Sequence, residues 1–286
     1  MQNFDYRALK KGFNKTAKTY EANAMLAKST GEALIERLQS IKIAPQRILD
    51  IGSGTGALNK KLRKLYPKAK IFNIDLAEQR LRQTKVLRFG LNAPMLVCAD
   101  AHALPFSDKS FDLIISNLCW HWVDHLGQAI YEAKRVLNVG GTLLFSTLGP
   151  DTLRELGAAF YSASSNPHII PFFDMHDVGD ALLKAGFADP VMDAEPMLLH
   201  FKKPEKLFKM LRDTGEGNYL SLRHRGLSGK KMFAQVKKYY ENFKLDKTYP
   251  ATFEIVFGYA WRPEDSSRLD QNNEISIPMS KIKRRK

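Results

Sequence analysis

The chain has 286 residues, enough for one large domain or one domain carrying an insertion, and 44% hydrophobic with 26% charged residues supply both a core and a surface to cover it. No apolar run approaches the length of a membrane span, and the opening "MQNFDYRALKKGF" lacks the apolar stretch of a secretory signal, so a cytoplasmic protein with no membrane partner is expected. Lys plus Arg is 44 against 30 Asp plus Glu, a formal charge of +14 that favours a negatively charged partner: nucleic acid, anionic lipid or an acidic protein.

Residues 4–40 read as helical, with Phe13, Ala17, Tyr20, Ala24 and Leu34 at helical spacing and breaks near Asn23 and Gly31. Short apolar runs then alternate with helical patterns. "RILDI" (47–51) predicts a strand, "GALNKKLRKLY" a helix stopped by Pro67, "KIFNIDL" a strand, and residues 77–89 a helix. "PMLVCAD" and "FDLIISNL" predict two more strands, "GQAIYEAKRVLNVGG" a helix closed by glycine, and "TLLFSTL" a fifth strand. Strands separated by helices of this length form βαβ units around a parallel sheet, and strands this apolar are expected to be covered on both faces.

After Leu148 the pattern loosens. "DTLRELGAAFYSA" is a helix, "PHIIPFFDMHD" a loop, "MHDVGDALLKAGF" a helix and "PVMDAEPMLLHF" a strand. Residues 203–246 read as lysine-bearing helices inserted before a last strand, "ATFEIVFGYAW". The expected organisation is a helical lid over 1–40, a catalytic domain over 41–262 with its insertion, and a basic tail over 263–286, ending "KIKRRK", too polar to fold. Cys98 and Cys119 both sit in apolar strand-like contexts. They predict buried thiols rather than a disulfide, and no metal-ligand spacing is present.

The chemistry starts at "ILDIGSGTG". A glycine-rich turn between a first strand and a first helix marks a nucleotide site in an open α/β sheet. Gly52, Ser53, Gly54 and Gly56 let the backbone turn and approach a ligand, and Asp75, followed by Leu76 at the end of the next strand, stands where an acid accepts ribose hydroxyls. A dinucleotide site reads G-x-G-x-x-G, whereas this one reads G-x-G-x-G with Asp50 two residues ahead of it. An acid there suits a ligand that is cationic at that end. S-adenosylmethionine, with its ammonium, sulfonium and adenosine, fits better than a pyrophosphate-bearing dinucleotide. Asp100 or the Ala101 backbone would meet the adenine amine, and Asn117 to Trp122 would face the transferable methyl.

These stretches, with "NIDLAEQRL", "CADAHALPF", "FDLIISNLCWHW" and "EAKRVLNVGGTLLFSTLGPDTLREL", resemble the class I S-adenosylmethionine-dependent methyltransferases. The resemblance implies a Rossmann-like α/β fold with a seven-stranded, mostly parallel sheet. The outer segments "FNKTAKTYEANAML", "GPDTLREL", "LRDTGEGNYLSLRHRGLSG" and "YPATFEIVFGYAW" are similar to the malonyl-acyl-carrier-protein O-methyltransferases of biotin synthesis. That family lays a tyrosine-bearing N-terminal helix over the cofactor, which points to Tyr20; the glutamine often found seven residues later is Ala27 here. A second relative is the arginine hydroxylase that assists respiratory complex I assembly, which shares "GPDTLREL" and "GEGN".

The resemblance implies methyl transfer to the free carboxylate of a malonyl thioester. A carboxylate is ionised at neutral pH, so no general base is required, and the work is alignment and exclusion of water. Tyr20, Trp120 and Trp122 are candidates for a dry wall, and His121 is either a base or a surface histidine. Arg212 or Arg154 could grip the carboxylate, with Arg212 favoured because it precedes a glycine-rich loop. The partner implied is an acidic acyl carrier protein. Arg7, Lys11, Lys15 and Lys18, and then Lys202, Lys206 and Lys209, recur at helical spacing and are either docking faces or solvated helix faces. Nucleic-acid methylation is the rival that the charge allows, but neither an RNA-binding module nor an "NPPY"-type motif is found.

Overall fold

A computed structural model describes residues 3–84, 93–164, 166–223 and 229–264. The expected tail from residue 265 on, residues 85–89 of the helix expected over 77–89, and residues 224–228 of "LRHRGLSG" lie outside the described residues.

Seven strands form one sheet: β1 (Arg47–Ile51), β2 (Lys70–Asp75), β3 (Met95–Cys98), β4 (Phe111–Asn117), β5 (Leu137–Leu148), β6 (Ala188–Phe201) and β7 (Tyr249–Trp261). Their order is β3-β2-β1-β4-β5-β7-β6. The first five are parallel and β7 runs antiparallel between β5 and β6. The order reverses between β1 and β4, and a cleft for ligands opens at the strand tips there.

The sheet is covered as strand periodicity requires. Ile48, Leu113 and Ile115 face one cluster with Leu34, Leu38 and Phe253. Their neighbours Leu49 and Ile114 face the other, with Ile130, Phe145 and Leu182. At the edge, β3 leaves Met95 and Leu96 partly exposed, unlike the doubly covered strands expected.

The helices are α1 (Tyr6–Asn23), α2 (Met25–Gln39), α3 (Asn59–Leu65), α4 (Glu78–Leu81), α5 (Leu126–Val136), α6 (Arg154–Tyr161), α7 (Met175–Lys184), α8 (Pro204–Thr214) and α9 (Lys230–Tyr240). Asp5 caps α1 by accepting from the Ala8 amide at 3.0 Å. The expected break near Asn23 is the α1–α2 junction at Ala24. The break expected at Gly31 is absent. Gly31 lies inside α2 because a Cβ there would meet Leu58 at 2.9 Å and the Asn117 amide at 3.3 Å, so its smallness serves packing.

Two further expectations are corrected. The helix after β4 ends at Val136, before the glycines. Its terminal carbonyls are satisfied from elsewhere in the chain, since the Lys109 and Ser110 amides donate to the Arg135 and Val136 oxygens at 3.0 and 2.7 Å. Gly140, at φ +73°, bends the start of β5 instead. Both cysteines are free thiols, but Cys98 is exposed rather than buried.

Candidate active site

Above the strand tips lies a cavity of about 1100 Å³. Its floor comes from the ends of β1, β2 and β4 and the segment after β3; α1, α8 and the loops after them close it from above.

The glycine loop is tied to β2. The Ser53 amide donates to the Ile74 carbonyl at 2.9 Å, and the Gly54 amide donates to Asp75 Oδ2 at 2.9 Å. The Ala77 amide donates to Asp75 Oδ1 at 2.7 Å. Asp75 is thus held at the cavity wall with one donor on each oxygen, and each oxygen keeps a second acceptor direction. Burial pushes its pKa up, against the Arg80 guanidinium and the two amides, which pull it down. Gly52, at φ +71°, has no room for a side chain: a Cβ would stand 2.4 Å from Cys119 Sγ.

Asp50 is buried and opens, with Ser53, onto a smaller recess of about 30 Å³ beside the main cavity. Among the described residues neither carboxylate oxygen has a hydrogen-bond partner, nor does Ser53 Oγ. Burial, with Asp75 adding repulsion, raises the Asp50 pKa to about 8. A buried acid left without donors is the arrangement a cationic or donating ligand group completes. These unpartnered acceptors therefore fit the ammonium of the amino-acid end of S-adenosylmethionine. The cradle at Gly52 and the acid at Asp75 fit the rest of that cofactor.

Not every predicted residue faces the ligand space. Gly56, at φ +74°, turns its Cα towards Asn59 and Asn73, where a Cβ would lie 2.4 Å from Asn59 Nδ2; its role is to seat the loop. Asp100 and Ala101 line the cavity, with Asp100 Oδ1 accepting from the His102 amide and paired with His102 Nδ1 at 2.7 Å. Leu76 lines it as well. Asn117 reaches the wall, but its amide is engaged: Nδ2 donates to the Ala27 carbonyl at 2.8 Å and Oδ1 accepts from Ser146 Oγ at 2.9 Å. It holds α2 to the sheet and offers no free group to a methyl.

Trp120 is corrected outright. It is 1% exposed, stacks on Phe145 at 4.2 Å inside the core, and is not part of the cavity wall. Trp122, two residues further in the same 3₁₀ turn, faces into the cavity and packs against Phe13 and Tyr219. His121 also lines the cavity. It is buried, neither ring nitrogen has a hydrogen-bond partner among the described residues, and burial depresses its pKa to about 3, which favours the neutral imidazole. It is therefore not a surface histidine. Tyr20 faces the cavity with its ring beside Gly54.

Of the two arginine candidates, Arg154 pairs with Asp151 and Glu155 outside the cavity. Arg212 lines the cavity but its side chain is 76% exposed, which places it at the opening.

Sequence reasoning missed Arg80. Its guanidinium lies buried between the rings of Phe13 (4.1 Å) and Tyr20 (4.2 Å) and donates to the Thr214 carbonyl at 2.6 Å. Nothing local distinguishes it from Arg82, which is exposed and pairs with Glu78. Glu216 was missed too; it lines the same wall, and burial raises its pKa to about 7.

A family model described as a methyltransferase domain matches residues 49–145. A malonyl-acyl-carrier-protein O-methyltransferase of Legionella pneumophila is 40% identical over 275 residues, covering 96% of each chain. One from Gallionella capsiferriformans is 40% identical over 286 residues, covering 98% of each. Among solved structures, a methyltransferase candidate from Bacillus halodurans superposes with a TM-score of 0.59 at 18% identity, covering 81% of this chain and 98% of the other, which bears on the fold.

Proposed function

The chain belongs to the malonyl-acyl-carrier-protein O-methyltransferase family, and from that membership we propose which of its residues carry the reaction. It is an S-adenosylmethionine-dependent O-methyltransferase that esterifies the malonyl carboxylate carried by an acyl carrier protein. The resemblance read from the sequence sets this step early in biotin synthesis. No helix among the described residues is long and apolar enough to cross a membrane; the acyl-carrier substrate in the relatives' name is the reason to place the reaction in the cytoplasm.

The cofactor, when bound, supplies an electrophilic methyl on a sulfonium. Asp75 would hold the ribose hydroxyls, its carboxylate already oriented by the Gly54 and Ala77 amides. Asp50 and Ser53 would accept from the ammonium end, directly or through water, and Asp100 with Ala101 would edge the adenine. Tyr20 and Trp122 exclude water from above.

The acceptor oxygen needs orientation without loss of its charge. A buried full cation would grip it and blunt its nucleophilicity, whereas a neutral donor fixes direction at lower cost to reactivity. His121 has that character: a neutral imidazole with no hydrogen-bond partner among the described residues, on the cavity wall beside Trp122 and Phe172. The observation that carries the reading is this continuity, one cavity running from Asp75 past His121 to the surface.

The test is a methyl-transfer assay with labelled cofactor on carrier proteins bearing malonyl, acetyl and malonyl methyl ester groups and on bulk RNA. Only the free-acid malonyl form is expected to be methylated efficiently. Equal labelling of the acetyl form or of RNA would overturn the assignment.

A further inference from the structure

The cavity opens to solvent between three helices, and its opening is ringed by cations. Lys15 on α1, Lys209 and Arg212 on α8, and Lys237 on α9 all line the cavity while remaining partly or largely exposed. One member of each basic stripe seen in the sequence, Lys15 and Lys209, therefore reaches the same rim, because α1 and α8 pack against each other. Helix α9 adds a third stripe that the sequence did not single out. Together α1, α8 and α9 carry twelve Lys and Arg against three acids, an excess of nine out of the +14 of the whole chain.

The rim also has counter-charges. Glu205 pairs with Lys237 at 2.9 Å, and Asp213 pairs with Lys209 and lies 3.9 Å from Arg212 Nε. The Lys237–Glu205 pair is exposed on both sides and weak, and Lys209 and Arg212 remain exposed above the largely buried Asp213, so the face keeps its excess of cations. Below the rim the wall is aromatic: Phe208 and Phe233 lie 6.0 Å apart, and Phe233 lies 6.2 Å from Phe160. A charged collar above an apolar corridor is matched by a substrate on a long, mostly uncharged arm that joins an acidic body through a phosphodiester.

We infer that the α1–α8–α9 face is the docking surface for the acidic helices of the carrier protein, with Lys15, Arg212 and Lys237 receiving the phosphate of its prosthetic arm at the rim. This rests on the malonyl-carrier reading above. It gives Arg212 a role at the opening rather than at the malonyl carboxylate. Complementary charge at a rim raises the encounter rate and is screened by salt.

The experiment measures the affinity of fluorescently labelled malonyl carrier protein by anisotropy, so that binding is read whether or not turnover occurs. Lys15→Glu/Lys237→Glu is compared with Lys60→Glu/Lys64→Glu, an equal charge change on the remote helix α3, with circular dichroism and cofactor binding checked in both. The rim pair is expected to weaken binding at least tenfold and to lose most of its salt dependence, while the remote pair changes binding less than twofold. Equal effects of the two pairs, or none from the rim pair, would overturn the docking surface. Intact binding by the wild type with no ester formed would instead strike at the reaction and leave the surface standing.

Discussion

Asp75 and Asp50 sit on adjacent strands, one with a donor on each oxygen and the other with none. That difference has a measurable consequence. With its pKa raised to about 8 in the folded, cofactor-free protein against 3.8 in a reference chain, Asp50 binds a proton more tightly folded than unfolded. Its ionisation thus costs stability progressively as pH rises from about 4 to about 8, and the cost is constant above. Without cofactor, the melting temperature of Asp50→Asn relative to wild type should climb between pH 5 and pH 8 and level off beyond it. A gap independent of pH would show that Asp50 is ionised and solvated. The acids were legible in the sequence because strand, glycine turn and strand fix where a carboxylate must emerge. The tryptophans were not. A 3₁₀ turn rotates successive residues by about a third of a circle, so Trp120 and Trp122 face apart although strand-like spacing would align them.

At the scale of elements, the cover over the site is stitched by tertiary contacts. Phe4 bridges Leu220, its amide donates to Asp124 at 2.7 Å, and Asp5 pairs with Arg223 at 3.1 Å. Arg80 is the central stitch, joining α4 to α1 through two rings and to the end of α8 through Thr214. Two ring contacts and one charge-assisted hydrogen bond, partly compensated by packing of the new side chain, set the loss in Arg80→Met at about 1–3 kcal/mol. Urea unfolding should show that loss, and amide exchange in residues 6–23 should accelerate. Unchanged exchange there would mean that α1 is held by other contacts. The same stitching explains where the sequence misled. The α5 terminus is capped by residues 109–110, far from the glycines that marked it, and Gly31 answers to Asn117 across the fold. Local patterns name an element; its ends and its faces depend on partners that are distant in the chain.

Across the whole molecule, the strand order brings residues separated by more than 150 positions into one cavity, from Lys15 and Tyr20 to Asp75, His121, Arg212 and Lys237. The alternation of strands and helices made that architecture legible, and the glycine loop with its acids marked the cofactor end. The acceptor end was less legible, because it is assembled from α1, α8, α9 and the loop before α7, whose register against one another no periodicity specifies. The account stands on the destination of the methyl group. Malonyl carrier protein incubated with the enzyme and a cofactor bearing a deuterated methyl should gain one label, seen by intact-mass spectrometry and released as deuterated methanol on mild alkaline treatment, as an ester requires. Label that survives alkali, or that sits on the carrier polypeptide rather than on its acyl arm, would contradict the account.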